Sequence, residues 1–233
     1  PLLVCIEGPS GIGKTRLATE FVRDLRSGGA RWLECRCTAE GRNSALRPVI
    51  AMLERLIELP TDGSPDDQET ALQQFLHRLG LEPGAYLPLL AGLMGIQLSG
   101  HYMPPPASPE KLRAMSLDLV VNLLTRMADD TPLLFVVEDL HWADPSTVEF
   151  TENLIEAIPD ASLCALLTAR PEFQPDWSAW PIQQMHLGRL TQDEVGEMVA
   201  GLTSGKSVPK AVIAEIHRRT DGVALFVEEL TRM

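Results

Sequence analysis

Several features that would place the protein in other classes are missing or scarce in its 233 residues. No apolar stretch approaches the roughly 20 residues that a membrane-spanning helix needs, and the amino terminus has no signal-peptide pattern. Positive charge is scarce: 20 lysines and arginines stand against 32 aspartates and glutamates, a formal net charge of −12, without any dense basic run. We therefore expect a cytoplasmic protein that neither enters a membrane nor binds nucleic acid directly.

Cysteine is also sparse, and its spacing does not indicate a metal or redox site. The four cysteines, Cys5, Cys35, Cys37 and Cys164, form neither a C-x-x-C pair nor a zinc pattern. Cys35 and Cys37 are alternate residues of a strand-like segment and would simply share one face of that strand. The cysteines are therefore expected to be reduced, largely buried thiols.

The most informative feature that is present is the run Gly-Pro-Ser-Gly-Ile-Gly-Lys-Thr at residues 8–15, which satisfies G-x-x-x-x-G-K-[ST]. It lies between a strand-like apolar segment and a helix-like one. Glycine lets such a turn point its N–H groups at phosphate oxygens, and the following helix presents its positive dipole end to the same anion. Lys14 would reach the β- and γ-phosphates and Thr15 would hold Mg²⁺. The alternative is a glycine-rich turn with an incidental lysine, which the strand-turn-helix context disfavours.

The run predicts a nucleotide site formed by its own residues and the next one. These are Gly8, Pro9, Ser10, Gly11, Ile12, Gly13, Lys14, Thr15 and Arg16.

Strand-like and helix-like segments alternate along most of the chain. The strand-like segments are residues 2–6, 31–37, 133–137, 162–168 and 184–187, and helical spacing marks residues 46–59, 66–80 and 85–98 among others. This alternation predicts an α/β P-loop NTPase fold, a parallel doubly-wound sheet of about five strands flanked by helices, over residues 1–190. A capping box at residues 191–194 then begins an all-helical stretch, so residues 191–233 are predicted to form a small helical domain.

A second half of the site is predicted at the ends of two later strands. Glu138 and Asp139 close the apolar run 133–137 in the manner of a Walker B element. Glu138 would hold the Mg²⁺ shell and Asp139 would orient or deprotonate the attacking water, unless the two acids are merely the solvated end of the strand. Arg170 ends the next strand, at the sheet edge where ligands lie, and would face the γ-phosphate unless it pairs with Glu172 on the surface.

The candidate catalytic residues are therefore Lys14, Glu138, Asp139 and Arg170, and the candidate metal ligands are Thr15, Glu138 and Asp139. His141 and Trp142 follow the acids closely and are expected to pack the turn rather than react.

Three segments, 137–145, 166–171 and 222–230, resemble the Walker B element, the sensor strand and the helical-domain signature of STAND-class AAA-type P-loop signalling ATPases. They occur in the expected order and span nearly the whole chain. The resemblance implies that ATP binding and slow hydrolysis to ADP switch a multidomain regulator between closed and assembled forms, with a possible nucleotide-dependent oligomer. It implies further domains in the same polypeptide, such as a cyclase or DNA-binding domain and helical repeats.

The resemblance also places Gly222 and Ala224 near the adenine. The sequence departs from the family pattern at three points. Ala224 stands where the family has proline, no Gly-Arg motif precedes the first strand, and the acidic pair is Glu-Asp rather than Asp-Asp. ATP binding is therefore a firmer expectation than rapid turnover.

Two other functions stay open at this point: a P-loop kinase for a small molecule, and a nucleotide-loaded scaffold with negligible hydrolysis. A GTPase is disfavoured because no Asn/Thr-Lys-x-Asp motif occurs. The chain begins with Pro1 and stops within an apolar-periodic segment, so we expect a piece of a longer protein. The last helix, with Phe226, Val227 and Leu230, is expected to expose part of its apolar face.

Overall fold

A five-stranded sheet forms the centre of the molecule. The computed structural model describes residues 3–60, 62–99, 102–175, 177, 180–203 and 207–232. The strands are β1 (Leu3–Glu7), β2 (Arg31–Arg36), β3 (Leu133–Glu138), β4 (Leu163–Ala169) and β5 (Gln183–His186). They pair in the order β2-β3-β4-β1-β5, and every pair is parallel. The predicted parallel α/β sheet is confirmed, and no strand end lies more than one residue from its predicted position.

Helices connect the strands and cover the sheet. They are α1 (Lys14–Ser27), α2 (Arg47–Ile57), α3 (Pro65–Arg78), α4 (Pro83–Met94), α5 (Pro109–Asp130), α6 (Pro145–Ala157), α7 (Gln192–Leu202), α8 (Lys210–Thr220) and α9 (Ala224–Arg232). The helix predicted over 85–98 ends earlier, because Gly95 adopts a left-handed conformation with φ of 69° and closes α4.

The two faces of the sheet are buried by different elements. Alternate residues of β3 point to opposite sides, and all six residues of that strand are buried. On one face Leu134 and Val136 join a small cluster with Ala18 of α1. On the other face Phe135 and Val137 join the main core, to which α2 to α6 contribute. The sheet is therefore doubly wound, and its carboxyl edge is left for the loops.

The helices α7, α8 and α9 share an apolar cluster of their own, formed by Val195, Val199, Ile216 and Val227. The predicted capping box begins α7, since Thr191 accepts from the Glu194 backbone and Glu194 accepts from the Thr191 backbone. Within α9, Val227 is fully buried in this cluster, whereas Leu225 and Phe226 are 48% and 55% exposed. The boundary between residues 190 and 191 stays a prediction.

All four cysteines are free thiols, and Cys5, Cys35 and Cys37 are buried. Burial raises the pKa of the Cys5 and Cys37 thiols to about 12, so these side chains stay protonated at neutral pH. Within the described part of the chain, no helix is long and apolar enough to cross a membrane.

Candidate functional site

The loop between β1 and α1 is a phosphate-loop turn built on glycines. Gly11 and Gly13 have φ of 74° and 110°, conformations that side chains with a Cβ rarely adopt. Gly8 has another reason to be glycine: a Cβ there would lie 2.8 Å from the Leu187 carbonyl oxygen. The turn is therefore tightly fitted between the first strand and the segment that follows β5.

Lys14 places its ammonium inside this turn. Its Nζ donates to the carbonyl oxygens of Gly8 at 2.8 Å and Pro9 at 3.0 Å, and the residue is only 6% exposed. Burial lowers the pKa of Lys14, and the nearby Asp139 carboxylate opposes that effect. Among the described residues no carboxylate forms an ion pair with it, so a cation with no bound counter-charge stands at the centre of the loop.

A cavity of about 650 Å³ opens above the loop, within the size range of small-molecule sites. It is lined by the predicted residues Ser10, Gly11, Ile12, Gly13, Lys14, Thr15, Arg16, Asp139, Arg170 and Ala224. Gly8 and Pro9 contribute through the carbonyl groups that hold Lys14. Glu138 and Gly222 do not line the cavity, so the structure does not bring these two predicted residues to it.

Asp139 is held at the edge of the cavity by its backbone. Its φ of 57° is left-handed, a conformation that aspartate tolerates better than most residues. The Asp139 N–H donates to the hydroxyl of Thr168 at 2.9 Å, and Thr168 is fully buried in β4. The neighbouring strand therefore fixes the point at which the chain leaves β3 and enters the cavity wall.

Glu138 forms an ion pair away from this cavity. Its Oε2 lies 2.8 Å from Nη2 of Arg36, and its side chain is 4% exposed. Burial raises the pKa of Glu138, while the guanidinium of Arg36 opposes the rise. Arg36 was not anticipated from the sequence, because only the β2-β3 register shows that it stands opposite Glu138. The metal role of Glu138 stays a prediction.

Arg170 faces the cavity and rests on an aromatic ring. Its guanidinium carbon lies 5.4 Å from the ring centroid of Trp142, a cation–π arrangement. It forms no ion pair with Glu172 in the described part of the chain, so the surface-pair alternative is not what the structure has. Trp142 was expected only to pack the turn, yet it lines the cavity and its ring packs against the guanidinium of Arg170.

His141 packs beneath the same turn, with its ring centroid 5.1 Å from that of Trp142. Both of its ring nitrogens are buried without a hydrogen-bond partner among the described residues, and Nδ1 lies 3.9 Å from Oδ1 of Asp139. Burial, and then the charge of Arg170, lower its pKa, which favours the neutral ring.

The helices α7, α8 and α9, which we call the helical part, contribute to another side of the cavity. The Leu225 N–H at the start of α9 donates to the Gly11 carbonyl oxygen at 3.0 Å. Leu190, Met198, Leu225 and Glu228 line this side of the cavity. A ligand on the phosphate loop would therefore contact both the sheet and the helical part.

The residues also suit a magnesium ion of the kind that accompanies nucleotide phosphates. Thr15 and Asp139, which both line the cavity, supply the hard oxygen ligands that Mg²⁺ prefers. The part of the chain that the structure describes has no group of three or more His, Cys, Asp or Glu placed to hold a metal by itself. A magnesium ion here would complete its shell with water and phosphate oxygens, which is its usual habit.

The chain is similar in sequence to known proteins. A family model described as an AAA ATPase domain matches residues 1–167. An uncharacterized protein of Rhizobium meliloti (strain 1021) is 24% identical over 233 residues, covering 98% of this chain and 22% of that protein. The chain thus spans less than a quarter of the length of this relative.

Two solved structures were compared with the chain. One is the crystal structure of a signal transduction ATPase with numerous domains (STAND), which carries a tetratricopeptide repeat sensor, from Pyrococcus horikoshii. It has a TM-score of 0.55 and 15% identity over 100% of this chain and 28% of that one. Another is a structure of Drosophila ORC bound to DNA, with a TM-score of 0.49 and 12% identity over 100% of this chain and 54% of that one. The family match and the first likeness confirm the AAA-type P-loop fold, which the chain shares with that STAND protein.

Proposed function

The chain belongs to the AAA ATPase domain family, and on that premise we propose that it is the ATP-operated switch module of a larger regulatory protein. In this proposal it binds ATP with Mg²⁺ and hydrolyses it slowly to ADP and phosphate. The state of the nucleotide then sets the position of the helical part relative to the sheet.

One observation carries the proposal: a single cavity is lined by the phosphate loop, by the ends of β3 and β4, and by the helical part. Lys14, Asp139 and Arg170 come from three different elements and meet there. The hydrogen bond from Leu225 to Gly11 connects the loop directly to α9. Loss of the γ-phosphate would therefore change the contacts of both the phosphate loop and the helical part.

The proposed chemistry is phosphoryl transfer to water. Lys14 and Arg170 neutralise charge on the γ-phosphate, and Asp139 accepts a hydrogen bond from the attacking water. A new bond forms between the water oxygen and the γ-phosphorus, and the bond from that phosphorus to the bridging oxygen of ADP breaks. Mg²⁺, held by Thr15 and Asp139, would neutralise charge on the β- and γ-phosphate oxygens. The adenine would lie against apolar side chains of the cavity, among them Leu17, Leu190 and Leu225.

A specific observation favours the second candidate, a nucleotide-loaded scaffold with negligible hydrolysis. Glu138, the acid expected to support the metal, is paired with Arg36 and does not reach the cavity. Hydrolysis would then be slow unless Arg36 releases this carboxylate.

The partners belong to the same proposal. Because the chain spans 22% of one relative and 28% of the STAND structure, we infer that further domains of the same polypeptide receive the signal. Such domains would include a cyclase or DNA-binding domain and helical repeats, and ATP binding would favour an assembled oligomer.

The test is phosphate release from MgATP without any added acceptor. The parent should release phosphate, and Asp139→Asn should lower the rate about a hundredfold or more, since it removes a group that positions the nucleophile. The Asp139→Asn protein should still bind ATP, and Glu172→Gln is a matched control that removes one nearby carboxylate. Parental turnover in Asp139→Asn would contradict the assignment of Asp139. Product only with an acceptor would favour a kinase, and tight binding without product would favour the scaffold.

A further inference from the structure

A second cavity, of about 620 Å³, lies beside β1 and β5. Among the described residues it shares no lining with the cavity that Lys14, Asp139 and Arg170 line, which we call the nucleotide cavity. We call the second cavity the strand-edge cavity and define it by three aromatic and three polar residues. These are Phe173, Trp177, Trp180, Glu7, Gln184 and His186. None of these six residues is among the predicted site residues, and the proposed ATPase chemistry does not use them.

The aromatic side of the strand-edge cavity is a chain of three rings in edge-to-face contact. The ring centroids of Phe173 and Trp177 are 5.9 Å apart, and those of Trp177 and Trp180 are 6.4 Å apart. The indole N–H of Trp177 already donates to Oε1 of Glu152 in α6 at 3.2 Å. What Trp177 offers the cavity is therefore apolar and π surface, and ring faces carry negative electrostatic potential.

The polar side of the strand-edge cavity adds negative charge. Glu7, at the end of β1, is the one carboxylate among the described lining residues, and its side chain is 18% exposed. Its ion-pair partner is Nδ1 of His186 at 3.2 Å. An imidazole, unlike a guanidinium, carries charge only when it is protonated. No lysine or arginine lines the cavity in the described part of the chain, so nothing there neutralises Glu7 permanently.

The faces of aromatic rings attract organic cations, and a carboxylate in the same cavity attracts the same positive charge. We propose that the strand-edge cavity binds an organic cation of the alkylammonium or guanidinium class, held by the carboxylate of Glu7 and the rings of Trp177 and Trp180. The cation would come either from a free small molecule or from a lysine or arginine side chain of another polypeptide segment.

The strand-edge cavity is joined to the nucleotide cavity through three chain positions. Glu7 directly precedes Gly8 of the phosphate loop, Pro171 directly follows Arg170, and His186 directly precedes Leu187. Occupancy of the strand-edge cavity would thus shift the strand ends that hold the nucleotide. This coupling rests on the proposed function, whereas cation binding itself does not.

Calorimetry without nucleotide tests the site. The probes are choline, its neutral isostere 3,3-dimethylbutan-1-ol, and agmatine as a guanidinium. We expect choline or agmatine to bind the parent, and the neutral isostere to bind at least about tenfold more weakly. An Ala-Arg-Ala peptide that binds more tightly than agmatine would assign the cation to a polypeptide segment, and the reverse order would assign it to a small molecule.

Four variants test which side chains bind the cation. Glu7→Gln and Trp180→Leu should each weaken cation binding about tenfold, because each removes one proposed contact. Trp32→Leu is the matched control, since Trp32 lies on β2 at the opposite edge of the sheet. Equal affinity for choline and its isostere, parental affinity in Glu7→Gln, or no binding of either cation to the parent would overturn the site. Trp180→Tyr should keep most of the affinity, which separates ring recognition from a folding defect.

The coupling is tested by titrating ATP with and without saturating choline or agmatine. We expect the ATP affinity to change in the presence of the cation and to stay unchanged in Glu7→Gln. An unchanged affinity in the parent would contradict the coupling. Failure of ATP to bind at all would instead contradict the proposed function, while cation binding measured without nucleotide would still stand.

Discussion

At the scale of single residues, the pair of Arg36 and Glu138 departs most from what the sequence motif predicts. Glu138 occupies the position of a metal-shell acid, but its carboxylate is buried against Arg36. Removing one partner of a buried ion pair leaves the other charge without compensation, and this costs more than the loss of an exposed pair. The half-exposed Arg36 therefore opposes the rise that burial causes in the pKa of Glu138.

We predict that Arg36→Gln lowers the free energy of unfolding by roughly 1–3 kcal/mol at pH 8, measured by urea denaturation in EDTA without nucleotide. Burial already raises the pKa of Glu138, and loss of Arg36 removes the effect that opposes this rise. The folded variant then takes up a proton more readily than the unfolded chain does. The stability of the variant therefore falls as pH rises through the folded-state pKa of Glu138. Its loss of unfolding free energy relative to the parent should be smaller at pH 5 than at pH 8.

The matched control is Arg23→Gln, which breaks an exposed ion pair with Glu20 on α1. Such a pair contributes about 0–1 kcal/mol. Equal losses in the two variants, or a deficit in Arg36→Gln that does not depend on pH, would show that Glu138 does not depend on Arg36.

At the scale of elements, the turn between α8 and α9 sets how the helical part reaches the phosphate loop. Gly222 in this turn has φ of 72°, and its carbonyl oxygen accepts from the Leu190 N–H at 2.8 Å. A Cβ at this position would lie 2.3 Å from the Leu190 carbonyl oxygen, which is backbone and cannot swing aside. The glycine thus holds α9 where Leu225 meets Gly11, although Gly222 does not line the cavity.

We predict that Gly222→Ala destabilises the helical part by roughly 1–3 kcal/mol, because the new methyl group collides with backbone in a strained conformation. Gly92→Ala in α4 is the matched control, since a Cβ there meets nothing within 4 Å. That change should stabilise the protein by about 0.5–1 kcal/mol, as alanine in a helix loses less entropy than glycine does. Urea denaturation measures both, and similar behaviour of the two variants would refute this view of the turn.

Some features of these elements could be predicted from the sequence, and others could not. The strands, the phosphate loop and the capping box of α7 were predictable, because they depend on the spacing of apolar residues and on local turn residues. The order β2-β3-β4-β1-β5 was not, since pairing partners are distant in sequence. That order places Arg36 opposite Glu138 and Thr168 beside Asp139. The sequence pattern therefore predicts which acids end β3, but not which partner each acid finds.

At the scale of the whole molecule, the nucleotide cavity is the place where the sheet and the helical part meet. Lys14 and Arg170 supply positive charge to its lining, and Leu190, Met198 and Leu225 supply apolar surface. A nucleoside triphosphate offers the matching combination of charged phosphates and a largely apolar base. Under the proposed function, a chain with a net charge of −12 would still hold a polyanion, because the local field at the loop rather than the overall charge would govern the site.

The most direct test of this account is calorimetric titration of MgATP into the parent, Lys14→Ala and the control Lys111→Ala, whose lysine lies at the start of α5. Lys14→Ala should bind roughly ten- to a hundredfold more weakly, because a charge-assisted contact contributes about 1.5–3 kcal/mol. Lys111→Ala should bind like the parent, and circular dichroism should show that all three proteins are folded. Equal affinity of folded Lys14→Ala and parent protein would contradict ATP binding at the phosphate loop.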